Sequence, residues 1–436
     1  MRTLAEWLKL QESVHPRSID MGLERVTRVA RALALTEPAS AVITVGGTNG
    51  KGSVAAHLEA LLSAHGVRVG LFTSPHFLRY NERIRVGGAE VADAELIAAF
   101  ERIETARGDL TLTFFEFNTL AALWVFTQRA VDIALLEVGL GGRLDATNLL
   151  DADVAVLASV GFDHRDWLGD TLEQIGAEKA GIFRSARPAV LGTVQMPESV
   201  YAAARRLGAR LLIAGRDFSW QLRGKCWDYH GLHVRLRDLP PSALAGEIQY
   251  RNAATAFAAL EALRDEPQAR PAVRALAQRL AVLDQHAARA ALERVQLAGR
   301  FQIVPGPVEW ILDIAHNAPA ATVLAAQLRT RALPHAGGRT FAVIGVLTDK
   351  DAATIGAALA AVIDRWIVCA LPGPRGGDAA TLAARLQLPA ASSVRLAESV
   401  RRGCELARAE AQPGDRVVVC GSVYAVGPAL EWLGIY

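Results

Sequence analysis

A glycine-rich segment, Gly46-Gly-Thr-Asn-Gly-Lys-Gly-Ser53, follows the apolar run Ala41–Val45 and precedes a helical pattern. Glycines let consecutive backbone N–H groups turn toward one anion, and a helix N-terminus adds partial positive charge. Lys51 can bridge the β- and γ-phosphates of a nucleotide. The alternative is a turn that binds nothing, but the order of strand, loop, lysine, hydroxyl and helix favours nucleotide binding.

Residues with metal-binding side chains follow other apolar runs. Glu137 and His164 each follow such a run, and ligands collect at the carboxyl ends of strands in an open parallel sheet. A hard divalent cation is expected beside a triphosphate. Taken alone, Glu137 could cap a helix and His164 could be structural. Ser74 follows a third run, where a metal ligand and an ordinary Ser-Pro turn are equal alternatives.

The runs that precede these residues are rich in Val, Ile and Leu without alternation, which predicts a parallel sheet covered on both faces. The predicted strands of this first part are Ala41–Val45, Arg68–Phe72, Val131–Val138, Asp153–Ser159 and Pro188–Gly192. Phe218–Leu236 alternates loosely and predicts a small antiparallel insertion. Arg251–Arg264 and Pro271–Gln285 are predicted helices.

A second alternating series begins after Leu297. Its predicted strands are Val308–Ile314, Thr340–Gly345, Trp366–Ala370 and Arg416–Cys420. The fold class is therefore α/β. A P-loop-type, mostly parallel sheet domain over residues 1–297 precedes a smaller Rossmann-like α/β domain over residues 298–436.

Composition limits the class of protein. The chain has 436 residues, a mass of 46.6 kDa, 51% hydrophobic residues and a formal net charge of +2. Wholesale disorder is excluded, and near-neutrality gives no strong case for nucleic acid or an acidic membrane. The four cysteines are scattered, the first residues read as an amphipathic helix, and no apolar run approaches the ~20 residues of a membrane span. We expect a soluble cytoplasmic protein with no nucleic-acid or membrane partner.

Several motifs recur in one order along nearly the whole chain. They are Val45–Ser53, Ser74–Tyr80, Phe115–Phe117, Glu137–Asn148, Asp163–Asp166, Glu178–Ile182, Gly299–Phe301, Asp313–Asn317, Asp349–Asp351 and Cys420–Ser422. Through them the chain resembles the Mur ligase family of ATP-dependent amide ligases. Within that family it is similar to the folate branch, folylpolyglutamate synthase and bifunctional dihydrofolate synthase.

The resemblance implies an ATP-dependent carboxylate–amine ligase of folate biosynthesis and one-carbon metabolism. ATP activates a carboxylate as an acyl phosphate, and the amine of L-glutamate then displaces phosphate. The implied reactions join glutamate to dihydropteroate and add further glutamates to reduced folates. The implied cofactors are Mg²⁺, as two ions, and a monovalent cation, with ATP as cosubstrate. The implied partners are these small molecules, and the implied state is a monomer.

The resemblance also implies roles for particular residues. The ATP-binding residues are Thr48, Asn49, Gly50, Lys51, Gly52, Ser53, Asn252, Arg300 and Asp313. The metal ligands are Ser74, Glu137 and His164, and the catalytic residues are Lys51, Lys179, His164 and Arg300. Lys179 matches a lysine that the family carbamylates. A carbamate suits a site near Mg²⁺ better than an ammonium does, although the sequence alone favours a solvated helix residue. Asn252 could instead cap a helix, and Arg300 could form a salt bridge at the domain boundary.

A further set of residues matches the pterin end and the glutamate site of the family. The substrate-binding residues implied are Ser18, Ile19, Asp20, Met21, Thr73, Thr113, Phe114, Phe115, Glu116, Leu144, Asp145, Ala146 and His316. Asp20 could hydrogen-bond a pterin amide edge, and Phe114 or Phe115 could lie against the ring. The alternative is a loop acid and a core aromatic pair. Together the pterin-matching residues favour the bifunctional enzyme, with the first domain holding the pterin site and the second acting as glutamate-ligase domain.

Other functions stay open on the sequence alone. They are a monofunctional folylpolyglutamate synthase, another Mur-type amino-acid ligase, a small-molecule kinase and a nucleotide-switched binding protein. The last is disfavoured because Lys350, in Thr348–Asp351, is displaced by one place from a guanine-reading pattern. Arg165 is unusual for the family and would place an extra cation near the magnesium site.

Overall fold

The computed structural model describes residues 2–266, 269–280, 283–335 and 337–436. The chain forms two compact units. The first comprises Met1–Ala243 and Tyr250–Val295, and the second comprises Leu244–Gln249 and Gln296–Tyr436. Over the described ranges, no helix combines the length and the apolar character that crossing a bilayer requires.

The strands of the first unit are β1 (Ala41–Gly46), β2 (Val69–Phe72), β3 (Ile84–Val86), β4 (Ala89–Glu90), β5 (Ile133–Glu137), β6 (Val154–Leu157), β7 (Pro188–Leu191), β8 (Arg210–Ile213), β9 (Ser219–Arg223), β10 (Cys226–His230) and β11 (Arg235–Leu239). Its helices are α1 (Leu4–Val14), α2 (Glu24–Ala32), α3 (Lys51–Ala64), α4 (Asp93–Arg107), α5 (Phe114–Gln128), α6 (Arg165–Leu168), α7 (Leu172–Lys179), α8 (Glu198–Leu207), α9 (Ile248–Arg264), α10 (Pro271–Arg279) and α11 (Gln285–Arg294).

Eight strands form the main sheet, in the order β4-β3-β2-β5-β1-β6-β7-β8. The six strands from β2 to β8 pair in parallel, and β3 and β4 extend one edge as an antiparallel hairpin. The predicted mostly parallel sheet is confirmed. The predicted antiparallel insertion is also confirmed, as the three-stranded sheet β11-β10-β9.

Both faces of the main sheet are covered. Along β1, Ile43 packs into one apolar cluster and its neighbour Val42 into a second, and Leu135 and Leu136 of β5 divide in the same way. Successive side chains of a strand point to opposite faces. The unalternated apolar runs therefore reflect burial on both sides, as the sequence predicts.

The predicted helix Pro271–Gln285 is wrong in its extent. α10 ends at Arg279, and α11 begins at Gln285. The side chain of Asp284 accepts a hydrogen bond from Ala287 N at 2.8 Å and so caps the start of α11. An aspartate before a helical pattern is a start signal, and the continuous apolar spacing concealed it. Residues 281 and 282 lie outside the described ranges.

The second unit is a smaller α/β domain, as predicted. Its strands are β12 (Gln302–Val304), β13 (Glu309–Asp313), β14 (Thr340–Ile344), β15 (Arg365–Cys369), β16 (Ser393–Ala397) and β17 (Arg416–Cys420). Its helices are α12 (Ala318–Thr330), α13 (Ala352–Leu359), α14 (Ala379–Leu386), α15 (Val400–Glu410) and α16 (Val423–Leu433). The sheet order is β12-β13-β17-β14-β15-β16, parallel except for β12.

Candidate active site

Four adjacent parallel strands of the first unit end at one rim. They are β2, β5, β1 and β6, in that spatial order. Ser74 follows β2 closely, Glu137 is the last residue of β5, and the glycine-rich loop follows β1. The chain after β6 leads to His164 at the start of α6. The parallel sheet thus gathers the predicted phosphate loop and metal ligands at one edge, where ligands of such sheets collect.

The glycine-rich loop is shaped by positive φ angles and by Ser159, which follows the neighbouring strand β6. Gly47 has φ +142° and Gly50 has φ +90°. Thr48 N donates to Ser159 O at 2.8 Å, and Asn49 N donates to Ser159 Oγ at 3.1 Å. Ser159 was absent from the predicted site, although its place after an apolar run could have indicated it. The loop conformation therefore depends on β6 as well as on its own glycines.

Lys51 begins α3 and reaches back over the loop. Its Nζ donates to Gly47 O at 3.0 Å, so the ammonium lies above the turn. Gly52 and Ser53 are buried in the first turn of α3. A Cβ at Gly50 would lie 3.1 Å from Asn252 Oδ1. Asn252, 202 positions from Gly50 in the sequence, is therefore brought to the phosphate loop.

The metal ligands predicted by resemblance fit a hard cation. Ser74 N donates to Glu137 Oε2 at 3.3 Å, so these two residues are adjacent. Glu137 is 5% exposed, and His164 adopts φ 51° at the N-terminus of α6. Within the described ranges no three His, Cys, Asp or Glu side chains form a metal-binding group. A shell here would be completed by hydroxyl, phosphate and water oxygens, which is how Mg²⁺ is usually held.

Lys179, the last residue of α7, is only 5% exposed. Its pKa is lowered to about 7, mainly by burial and also by the charge of Lys51, while Asp163 and Asp145 oppose the shift. The two lysines therefore lie close enough to interact electrostatically. Asp163 is a second residue missing from the predicted site, and its position next to His164 in a quoted motif was the available signal.

Some of the residues predicted for the pterin end contact one another or pack beside the sheet. Thr113 and Glu116 form a capping box at the start of α5, with Thr113 N donating to Glu116 Oε2 at 2.7 Å. The ring of Phe115 lies 5.6 Å from that of Phe72, and a Cβ at Gly139 would lie 2.6 Å from it. Phe115 therefore packs between β2 and the loop after β5.

The loop after β5 is held together by Asp145. This buried carboxylate accepts from the backbone of Gly139 at 3.0 Å, Leu140 at 2.8 Å and Thr147 at 3.0 Å. Burial raises the pKa of Asp145, and these hydrogen bonds oppose the rise. The carboxylate oxygens of Asp145 therefore fix the loop that contains Leu144 and Ala146, the two other residues predicted here for the pterin end.

The remaining predicted pterin-end residues occupy varied environments. Leu144 and Ile19 are half-buried, Ala146 is buried and Ser18 is exposed. Thr73 N donates to Arg83 O at 2.9 Å. A Cβ at Gly141 would lie 3.6 Å from Met21 Cε, which brings the loop before α2 to the loop after β5.

In the second unit, three predicted residues gather at the end of β13. Asp313 accepts from Phe301 N and Ala315 N, each at 2.8 Å. Burial raises the pKa of Asp313, while the charge of Arg300 opposes the rise. His316 Nδ1 lies 2.9 Å from Ile314 O. This unit therefore places Arg300, Asp313 and His316 at one strand end.

Arg165 has a partner at the surface. Its Nη2 lies 2.8 Å from Asp170 Oδ1, and both side chains are more than half exposed. Its guanidinium also lies 5.7 Å from the centre of the Phe162 ring. An exposed ion pair screens the extra charge that the sequence places beside His164.

Comparison with known proteins agrees with this geometry. Residues 45–213 match the family model "Mur ligase middle domain", and residues 299–423 match "Mur ligase, glutamate ligase domain". The dihydrofolate synthase/folylpolyglutamate synthase of Escherichia coli is 43% identical over 428 residues, covering 98% of this chain and 95% of that protein. Its counterpart in Haemophilus influenzae is 38% identical, covering 97% and 96%.

The solved structures to which this chain is similar belong to the same family as these relatives. E. coli FolC in complex with DHPP and ADP superimposes with a TM-score of 0.90 at 42% identity, covering 99% of this chain and 98% of that one. A bifunctional folylpolyglutamate synthase/dihydrofolate synthase with Mn, AMPPNP and L-glutamate bound gives a TM-score of 0.88 at 40% identity, covering 100% and 98%. The chain therefore belongs to the dihydrofolate synthase/folylpolyglutamate synthase family of Mur-type ligases.

Proposed function

We propose that this protein is a bifunctional ATP-dependent ligase. It joins L-glutamate to dihydropteroate and then adds further glutamates to reduced folates. The observation that carries the proposal is the shared rim of β1 and β5, where a phosphate loop with Lys51 lies beside the adjacent Ser74 and Glu137. The near full-length relatives that carry both activities in their names supply the substrates.

In the first unit, the backbone amides of residues 50–53 and the ammonium of Lys51 hold the phosphates of ATP, and Thr48 and Asn49 complete the loop around them. Thr48 and Asn49 are fixed by Ser159 before any ligand arrives, so little ordering is needed on binding. Asn252 contacts the nucleotide beside Gly50. We also propose ATP-binding roles for Arg300 and Asp313 and a glutamate-binding role for His316, which lie together at the end of β13 in the second unit.

Ser74, Glu137 and His164 would hold Mg²⁺, which when bound neutralises phosphate charge. Glu137 is buried at the end of β5 and lies next to Ser74 N, and this placement supports it as a ligand. Lys179 is carbamylated in the working enzyme. Its lowered pKa supports this, because the neutral amine is the form that reacts with carbon dioxide. Labelled bicarbonate should yield a carbamate carbon signal that Lys179→Met lacks.

The chemistry requires two displacements. An oxygen of the substrate carboxylate attacks the γ-phosphorus, the bond to ADP breaks, and an acyl phosphate forms. The neutral amine of glutamate then attacks the acyl carbon, phosphate leaves, and the nitrogen loses a proton to give the amide. Lys51 stays beside the transferring phosphoryl group throughout.

We also propose that the enzyme acts as a monomer in the cytoplasm on small molecules alone. The near-neutral charge of +2 supports the absence of a nucleic-acid partner. The buried free thiols of Cys369, Cys404 and Cys420 suit a reducing compartment.

The decisive experiment supplies Mg-ATP and L-glutamate with either dihydropteroate or a reduced folate, and follows products by mass spectrometry. We expect dihydrofolate from the first mixture and longer glutamyl chains from the second. If only the second mixture gives a product, the protein is a folylpolyglutamate synthase without dihydrofolate synthase activity. A phosphorylated product without glutamate consumption would make the protein a kinase.

A further inference from the structure

A network of ionisable side chains joins three parts of the first unit near the predicted pterin end. We call it the Asp20 junction, and it comprises His15, Asp20, Arg25 and Glu116. His15 and Asp20 lie between α1 and α2, Arg25 lies in the first turn of α2, and Glu116 lies in the first turn of α5. Only Asp20 and Glu116 were predicted as substrate-binding residues, so the network itself is new information from the structure.

Arg25 is the centre of the junction. Its Nη1 donates to Asp20 Oδ2 at 2.6 Å, and its Nη2 donates to Asp20 O at 2.9 Å. The same Nη2 donates to Glu116 Oε1 at 3.2 Å. One planar guanidinium thus fixes the backbone and the carboxylate of Asp20 against the buried start of α5. A lysine could not reproduce this arrangement, because its ammonium lacks the rigid fork.

His15 supplies a second attachment. Its Nε2 lies 3.1 Å from Asp20 Oδ2, and its Nδ1 lies 2.8 Å from Thr111 Oγ1. The His15 side chain is 7% exposed, so it is a buried link rather than a surface contact. Asp20 is therefore tied to the segment before α5 as well as to α5 itself.

The two oxygens of Asp20 are used differently. Oδ2 contacts both Arg25 and His15, whereas the nearest cation to Oδ1 is Arg17 Nη1 at 3.9 Å, beyond hydrogen-bonding distance. The Asp20 side chain is 26% exposed. Within the described part of the chain, Oδ1 accepts no hydrogen bond, so the junction holds one oxygen and presents the other.

We infer that Arg25, assisted by His15, is a positioning residue that aims Asp20 Oδ1 at the aminopyrimidinone edge of dihydropteroate. This inference rests on the proposed function. The edge of that ring carries an N–H and an amino group side by side, both donors, and a carboxylate oxygen is their natural acceptor. A held acceptor gives more affinity than a mobile one, since less side-chain entropy is lost on binding.

Substrate length makes the junction selective. In dihydropteroate the reacting carboxylate is attached to the benzoyl ring. In a reduced folate it lies a whole glutamyl side chain further from the pterin. With the phosphate loop in one place, a fixed pterin contact can serve only one of these lengths. The Asp20 junction therefore supports dihydrofolate synthesis and contributes little to glutamate elongation.

The test compares Arg25→Gln with Arg28→Gln, a matched change one turn further along α2 at an exposed residue. Loss of a charge-assisted contact should raise the KM for dihydropteroate about tenfold or more in Arg25→Gln. The KM values for reduced folate and for ATP should stay close to those of the wild type. Arg28→Gln should match the wild type for all three substrates.

A double variant separates positioning from general stability. If Arg25 acts through Asp20, Arg25→Gln combined with Asp20→Asn should be no worse than Asp20→Asn alone. His15→Gln should show the same selectivity with a smaller rise in KM, and it gives an independent answer if Arg25→Gln does not fold.

Several outcomes would overturn the inference. They are additive losses in the double variant, equal losses with dihydropteroate and reduced folate, or an Arg25→Gln enzyme that behaves like Arg28→Gln. A wild-type enzyme that makes no dihydrofolate at all would instead refute the proposed function, so the two failures are distinguishable.

Discussion

Glu137 is the residue on which the proposed metal site depends most. It ends a buried strand, is 5% exposed, and accepts from Ser74 N at 3.3 Å. A carboxylate in such surroundings stays ionised when a cation or several donors stabilise it. Its place beside the phosphate loop makes Mg²⁺ the fitting cation.

We expect Glu137→Gln to lower magnesium-dependent turnover by more than about 100-fold, since even outer-shell partners of a metal are worth 10–100-fold. The amide is isosteric, so thermal unfolding should change little. Steady-state ligase assays at several Mg²⁺ concentrations provide the measurement, with the exposed Glu101→Gln as control. Wild-type turnover in Glu137→Gln would remove this residue from the metal shell.

Gly47 is the second residue at which a small change should have a large effect. Its φ is +142°, and a Cβ would lie 3.1 Å from Ser159 N and 3.2 Å from Ser159 O. The two nearest atoms that a Cβ at Gly47 would meet belong to the backbone just after β6. This backbone is anchored to the sheet, so it cannot shift as easily as a flexible side chain. Gly66 also has positive φ, +69°, but a Cβ there would meet nothing within 4 Å.

We therefore expect Gly47→Ala to raise the KM for ATP at least about tenfold by displacing the phosphate loop. Gly66→Ala carries only the cost of a left-handed residue, about 1 kcal/mol, and should keep the wild-type KM. Nucleotide titration of both variants is the measurement. Equal effects in the two would show that strain, and not the contact with Ser159, controls the loop.

At the scale of elements, α3 is tied to the segment before α9 by a buried histidine. His57 Nδ1 lies 2.7 Å from Ser53 O, and its Nε2 lies 2.9 Å from Ser242 Oγ. Burial lowers the pKa of His57 from 6.5 to about 4. The ring is therefore neutral in the fold and charges more readily in the unfolded chain.

The lowered pKa of His57 makes the folded protein less stable at acidic pH. Below pH 6.5 the unfolded chain binds a proton that folded His57 refuses, so stability falls as pH drops and the effect ends near pH 4. The slope from this group approaches at most about 1.4 kcal/mol per pH unit. Denaturant unfolding between pH 7 and pH 4 should show a shallower decline in His57→Gln than in the wild type. The exposed His286→Gln should follow the wild type, and a parallel decline in all three proteins would contradict this explanation.

Short elements were the hardest to predict. β3 and β4 have three and two residues and are not among the predicted strands. Between them, Gly87 and Gly88 have φ +61° and +83°. A Gly-Gly pair between short extended runs is a hairpin signal, so this hairpin was readable in the sequence but was missed.

At the scale of the whole molecule, ligand binding should be visible as stability. A ligand that binds only the folded state stabilises it by about 2.7 kcal/mol at 100 times its Kd. We expect Mg-ATP to raise the melting temperature, because the phosphate loop that binds it has its shape only in the folded first unit. Differential scanning calorimetry of the wild type and Gly47→Ala tests this.

Chelation provides the control for the metal. With EDTA present, ATP should stabilise the wild type much less, because the phosphates then lack their main counter-charge. Full stabilisation by ATP in EDTA would show that the metal contributes nothing to nucleotide binding at this rim.

The sequence by itself determined most strands of the two larger sheets, the glycine-rich loop and the residues that follow those strands. These are local properties, since apolar spacing, glycine positions and strand ends are set by neighbours in the chain. Family resemblance then supplied the substrates and the roles of individual residues, and the family and the fold class were confirmed. Neither the sequence pattern nor the resemblance predicted which side chains contact one another at the candidate site.

Only the tertiary structure decided which distant residues meet. Ser159 and Asn49 are separated by 110 positions, and Arg25 and Glu116 by 91. The lowered pKa of Lys179 likewise depends on burial and on Lys51, neither of which its own helix reveals. Such contacts arise because parallel strands bring their carboxyl ends to one rim and helices pack across the sheet. Packing of this kind leaves no period or spacing in the chain to predict it.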